Sequence, residues 1–157
     1  MAAGRTHWFL HPMAMGETMG YCARLAQNNK RGQYEPAGRA ARNVHVALMG
    51  DPTLRLHVVA PPLNFQAKKD GRSVVLSWES SPDQVLGYVV YRSASPMGPY
   101  TRLNKRLLTA ASFTHKSVPA GAQSYMLRAV VLQISPSGSY INASTGIFAA
   151  VEPNAED

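Results

Sequence analysis

Residues 73–93 read SVVLSWESSPDQVLGYVVYRS, and the fold is decided here. In the first part Val74, Leu76 and Trp78 alternate with Val75, Ser77 and Glu79. Successive side chains of a strand point to opposite faces, so the tryptophan joins an apolar inward face. In the last part Tyr88, Val90 and Arg92 alternate with Val89 and Tyr91. Both sides of that run are partly apolar, the pattern of a central strand.

Outward from this pair, β-rich runs recur roughly every ten residues between Gly, Pro, Ser and Asp clusters, which is how an all-β sandwich reads. Seven strands are expected: Leu63 to Lys68, Ser73 to Glu79, Gly87 to Ser93, Tyr100 to Leu103, Ser112 to His115, Ser124 to Leu132 and Tyr140 to Ala150. The expected core is Leu76, Trp78, Tyr88, Val90, Tyr125, Leu127 and Ala129. The whole chain has 157 residues, 45% of them apolar, enough for one domain or two small ones. Its single cysteine, Cys22, excludes an internal disulfide and a cysteine-rich zinc site, so the core is held by packing alone.

The ordered set Pro61-Pro62-Leu63, Leu76-Ser77-Trp78, Gly87 to Arg92, Gly98-Pro99-Tyr100, Tyr125 and Gly138-Ser139 resembles a fibronectin type III domain over residues 61–153. The resemblance implies a disulfide-free antiparallel sandwich and a tyrosine corner at Tyr125, whose hydroxyl bonds a nearby backbone group. Lys69-Asp70-Gly71-Arg72 holds the residue types of an Arg-Gly-Asp triplet in the wrong order, so integrin-type adhesion does not carry over.

Residues 1–60 differ in rhythm and charge. Seven basic residues face three acidic ones before Pro61, against nine and six after it, so the basic excess of the +7 chain is densest here. Met19, Cys22, Ala23 and Ala26 predict one helix over Glu17 to Asn28. A polar loop follows from Lys30 to Arg42, then two short strands, Val44 to Met49 and Leu54 to Ala60, around a turn at Gly50-Asp51-Pro52. Gly16-Glu17-Thr18 and Leu48 to Leu56 are similar to the carboxy-terminal end of gingipain-like cysteine peptidase domains. That family's catalytic residues lie upstream of this end, and the resemblance supplies none. The expected fold class is thus mainly β, a seven-stranded fibronectin type III-like sandwich (61–153) preceded by a small α/β segment (1–60) and followed by a short tail (154–157).

Candidate chemistry is sparse. Cys22 with His7 or His11 lacks a third orienting group for nucleophilic catalysis and falls on the apolar helix face, where cysteine acts as a small hydrophobe. His7 and His11 have ligand spacing, but Pro12 breaks the helix that would align them. Met13, Met15 and Met19 read as core filling, His45, His57 and His115 as structural, and Asp51 as a turn former. No catalytic, metal or cofactor site is expected. Arg24, Lys30, Arg31, Arg39 and Arg42, with Tyr34 among them, form a candidate basic contact surface, although no nucleic-acid recognition fold accompanies it. Tyr100 and Tyr140 are candidate surface contacts, and Asn142-Ala143-Ser144 fits the glycosylation acceptor pattern. No apolar run reaches bilayer length and no signal-peptide run follows Met1, while the resemblance implies export. The expected role is a non-enzymatic binding or spacer module of a larger surface or secreted protein, meeting a protein, a glycan or an adjacent domain. The alternative is the non-catalytic end of a gingipain-like peptidase.

Overall fold

The computed structural model describes residues 8–28, 47–136 and 138–152. They form two units, one from the residues up to Val58 with Ser135–Gly138, the other from Val59–Ile134 with the residues from Ser139 on. In the second unit β1 (Leu63–Asp70) turns through Gly71 and Arg72 into β2 (Ser73–Glu79), with Asp70 opposite Ser73. Gly71 takes φ 57°, the left-handed region that so short a hairpin loop requires. β2 also pairs with β5 (Ser112–His115), closing a three-stranded antiparallel sheet in the order β1-β2-β5.

The second sheet is built on β3 (Gly87–Ser93), β4 (Thr101–Arg102) and β6 (Gln123–Ser135). Its order is β4-β3-β6-β7, where β7 is Gly138–Ala143, and β8 (Ile147–Val151) pairs with the first half of β6. Between the sheets Val74, Leu76 and Trp78 meet Tyr88, Val90, Tyr125, Leu127 and Ala129, with Val59 beside them. Each large side chain removed from water here contributes about 1.5–3 kcal/mol. Trp78 stands edge-on between Phe65 (centroids 6.2 Å apart) and Tyr88 (5.5 Å). Backbone and side chain clamp one end: Tyr88 Oη accepts the Ser81 N–H at 3.0 Å, Ser81 Oγ donates to Ala60 O, and Asp83 Oδ2 accepts the Ala60 N–H.

β1 and β6 run longer than the sequence reading, to Asp70 and over Gln123–Ser135, and two further strands are broken or shortened. The fourth, expected from Tyr100 to Leu103, shrinks to two residues because Asn104 takes over the ladder. Its buried amide accepts the Val90 N–H at 2.8 Å and donates to Tyr88 O and Arg106 O. The seventh, expected unbroken from Tyr140 to Ala150, splits into β7 and β8. At the break the Ser144 N–H donates to Ala129 O, while Ser144 Oγ accepts the Ala129 N–H and donates to Thr145 O. The side chain so supplies what a continuous strand would have supplied. Gly146 lets Met126 through: a Cβ there would lie 2.6 Å from the Met126 Sδ.

In the first unit a 3-10 turn, His11–Met15, opens on Pro12 and ends at Gly16, whose φ is 89°. Helix α1 runs Met19–Asn28, two residues shorter at its start than expected, because Thr18 caps it by accepting the Tyr21 N–H on Oγ1 at 3.1 Å. Cys22 and Ala23 are its buried positions. The Met19 and Gly20 N–H groups donate to Leu54 O and Pro52 O, both at 2.8 Å. Gly20 permits that approach, since a Cβ would stand 2.8 Å from the Pro52 Cβ. The two strands expected around Asp51 are absent among the described residues, which here begin at 47. The carbonyls of Pro52 and Leu54 serve the helix start instead of a ladder, and Leu54, Leu56 and Val58 stay exposed.

Candidate functional site

Two places on the sandwich gather functional side chains. The first lies at the end formed by the β1–β2 turn and the loop from Lys116 to Ala122. On the inner face there, Tyr125 Oη and His115 Nδ1 lie 3.0 Å apart, joining the two sheets. The resemblance implies a backbone partner for this hydroxyl; the structure gives it an imidazole, because β5 ends with His115 opposite Val74 and therefore pointing inward. Arg92 Nε donates to Gln123 Oε1 at 2.6 Å, and Gln123 Nε2 donates to Pro119 O and Gly121 O. Burial, then the Arg92 charge, pulls the His115 pKa below its ordinary value. Burial pushes Tyr125 up to about 12, with Arg92 opposing. Both groups are neutral at pH 7. Above this plug is a cleft of about 470 Å³ lined by Lys69, Arg72, Val118, Gln123 and Glu152 among others. Its floor amide is already satisfied, leaving two cations and one carboxylate at the rim.

The second place is the solvent side of the larger sheet. Ladder register sets Arg102 opposite Tyr91, Tyr91 opposite Met126 and Met126 opposite Phe148. Directly opposed residues share a face, and Arg92, next to Tyr91, faces the core, so this row faces out. Across three strand gaps it spans about 14 Å. Tyr100 adds a second ring: it lies 5.7 Å from Phe148 with 57° between the planes, and its hydroxyl donates to Pro96 O and pairs with Ser124 Oγ. Phe148 is 57% exposed. Arg102 Nε and Nη2 donate to Asn104 O and Lys105 O, holding Arg102 beside the exposed Lys105 and Arg106.

Among the described residues, those singled out from the sequence scatter, and none joins another in a catalytic arrangement. The expected core residues Leu76, Trp78, Tyr88, Val90, Tyr125, Leu127 and Ala129 are all buried. Cys22 is buried and burial raises its pKa, so its thiol is a poor nucleophile. Asp51 Oδ1 accepts the Thr53 N–H and Oγ1–H, bonds that lower its pKa and close the turn. Among the proposed basic residues Arg24 is exposed on α1, stacked 5.6 Å over the Tyr21 ring; Lys30, Arg31, Arg39 and Arg42, like His7, Tyr34 and His45, lie outside the described residues. Asn142 and Ser144 are buried, so the folded chain does not offer that acceptor. Among the described residues no group of three or more His, Cys, Asp or Glu could hold a metal ion, and no helix is long and apolar enough to cross a membrane. The outer row escapes a reading of the sequence because its members sit on four strands, and only register brings them together.

Sheet order and core define the fold class as a fibronectin type III-like antiparallel β-sandwich. No family model and no curated protein matches the chain. Among solved structures, a computationally redesigned β-sandwich protein is similar at 14% identity and TM-score 0.50, over 64% of this chain and 95% of that one, a likeness of fold alone. An Fn3-like protein from Clostridium thermocellum is similar at 25% identity and TM-score 0.46, over 64% of this chain and 100% of its own. The fn3 domain of the human collagen α-1(XX) chain is similar at 19% identity and TM-score 0.47, over 64% and 90% respectively.

Proposed function

We propose that the chain is a non-enzymatic binding module of a larger surface or secreted protein, and that the sandwich acts by presenting a surface. The observation that carries this reading is the outward row of Arg102, Tyr91, Met126 and Phe148. Tyr, Met, Phe and Arg are the residues enriched in protein contact surfaces, and the ladder register sets four of them side by side here. Cross-linking of the full chain in extract of its source organism, with the links mapped by mass spectrometry, tests it. Links converging on β3, β4, β6 and β8 are expected; links scattered evenly over the surface would overturn the reading.

A second reading, the non-catalytic end of a gingipain-like peptidase, has one observation in its favour. The two fragments that carry that likeness pack together in the first unit, Leu54 O on the Met19 N–H and Gly16 O on Arg55 Nη1. Peptidase motifs in an open frame upstream of Met1 are the expected genomic finding; a stop codon there in every related genome would remove it.

A further inference from the structure

The partner's chemistry follows from what surrounds the row, an inference that rests on the binding role proposed above. The geometry points to an acidic protein segment carrying aromatic or apolar side chains, laid across the solvent face of β4, β3, β6 and β8.

Three features select this occupant. First, the row has an apolar middle: Met126 is buried there, packed against Gly146, with the half-buried Tyr91 on one side and the exposed Phe148 on the other. A desolvated centre with aromatic neighbours is where binding energy concentrates in protein interfaces. Second, the rings do not form a flat shelf. Tyr100 and Phe148 meet at 57°, so they do not present the coplanar ring surface on which the broad face of a sugar stacks. Third, one border of the row is cationic. Arg102, Lys105 and Arg106 lie within five residues, and the Arg102 side chain is held against this turn by its bonds to Asn104 O and Lys105 O. Among the described residues none of the three has a carboxylate partner, so their charge is available to an acidic partner, which the chain's net charge of +7 also attracts. The cleft at the plugged end offers no such pairing of charge with an apolar centre, since Glu152 offsets one of its two cations and its floor is polar.

The test uses the full chain and three defined polymers: a random copolymer of glutamate and tyrosine, polyglutamate, and polygalacturonate as an acidic glycan. Binding is followed by amide chemical shifts and by titration at low and moderate salt. The glutamate–tyrosine copolymer is expected to bind about tenfold tighter than either of the others and to shift the amides of Tyr91, Arg102, Met126 and Phe148. Phe148→Ser, at an exposed position, is expected to remove about fivefold of that affinity while the sandwich stays folded by circular dichroism and amide spectra. Lys105→Glu with Arg106→Glu is expected to weaken all three polymers about tenfold and to flatten the salt dependence. Equal affinity for polygalacturonate would overturn the inference in favour of an acidic glycan, and shifts confined to Lys69 and Arg72 would overturn it in favour of the cleft. If no polymer binds while cross-links still converge on this face, the partner's chemistry is wrong and the binding role stands; if the links scatter as well, both fall.

Discussion

The sandwich and the unit that ends at Val58 use apolar residues in opposite ways. In the sandwich nine buried residues form one cluster contributed by both sheets. In the other unit the buried apolar residues, among those described, are Met13, Cys22 and Ala23, while Met49 stands 95% exposed, Val58 77% and Leu56 61%. Local order exists in both. The Thr18 cap, the Asp51 turn and the bonds from Met19 and Gly20 are as regular as anything in the sheets. Hydrogen bonds and caps shape a backbone at a net gain of about 1 kcal/mol each, but cooperative stability comes from buried area, and among the described residues the sandwich holds most of it.

The comparison breaks most readily in the core. Leu127→Ala, at a fully buried position on β6, is expected to lower unfolding free energy by about 3–5 kcal/mol, measured by urea denaturation. A loss under about 1 kcal/mol would mean the two sheets are not packed as described. Asn104→Ala comes next. It strips the side-chain partner from Val90 N–H and Arg106 O, leaves Tyr88 O with the Leu108 N–H alone, and should cost about 2–3 kcal/mol, with faster hydrogen exchange at Val90.

The pH dependence is a smaller effect and sharpens the view of the plug. His115 has a lowered pKa, so the unfolded chain takes up its proton first as pH falls through about 6.5. Stability is present above that value and is lost below it, down to the folded pKa. Tyr125 is raised to about 12, so its contribution is intact below about pH 10 and disappears between there and about 12 as the unfolded chain ionises. Melting temperature against pH should fall at both ends, and His115→Gln should flatten the acid side alone. The smallest effect belongs to the other unit: Leu56→Ala should change stability by less than about 0.5 kcal/mol. A larger loss would show that this apolar run has a cover.

Most of the sandwich is legible in the sequence because a two-residue period states which side chains face inward, as in Val74, Leu76 and Trp78. The same alternation misleads at Leu54, Leu56 and Val58, since a period specifies a face only where a neighbouring strand pairs with it, and here the Leu54 carbonyl is engaged by α1. The breaks at Asn104 and Ser144 escape notice because a polar side chain replacing a ladder bond leaves no periodic trace. The outer row is invisible for a different reason. The alternation sets Tyr91 opposite in facing to Val90, but its meeting with Met126 and Phe148 depends on registers that hydrophobicity alone does not fix.

Trp78, wedged between Phe65 and Tyr88, also makes the molecule its own optical gauge. The chain has two tryptophans; Trp8, in the other unit, is partly exposed, and Trp78 is buried with no hydrogen-bond partner for its indole nitrogen among the described residues. An indole so placed emits at short wavelength, and its edge-on neighbours lend it a signal in near-ultraviolet circular dichroism. Replacing Trp8 with phenylalanine leaves a single emitter inside the sandwich, so the colour of the fluorescence reports whether the sheets are closed, without any added dye.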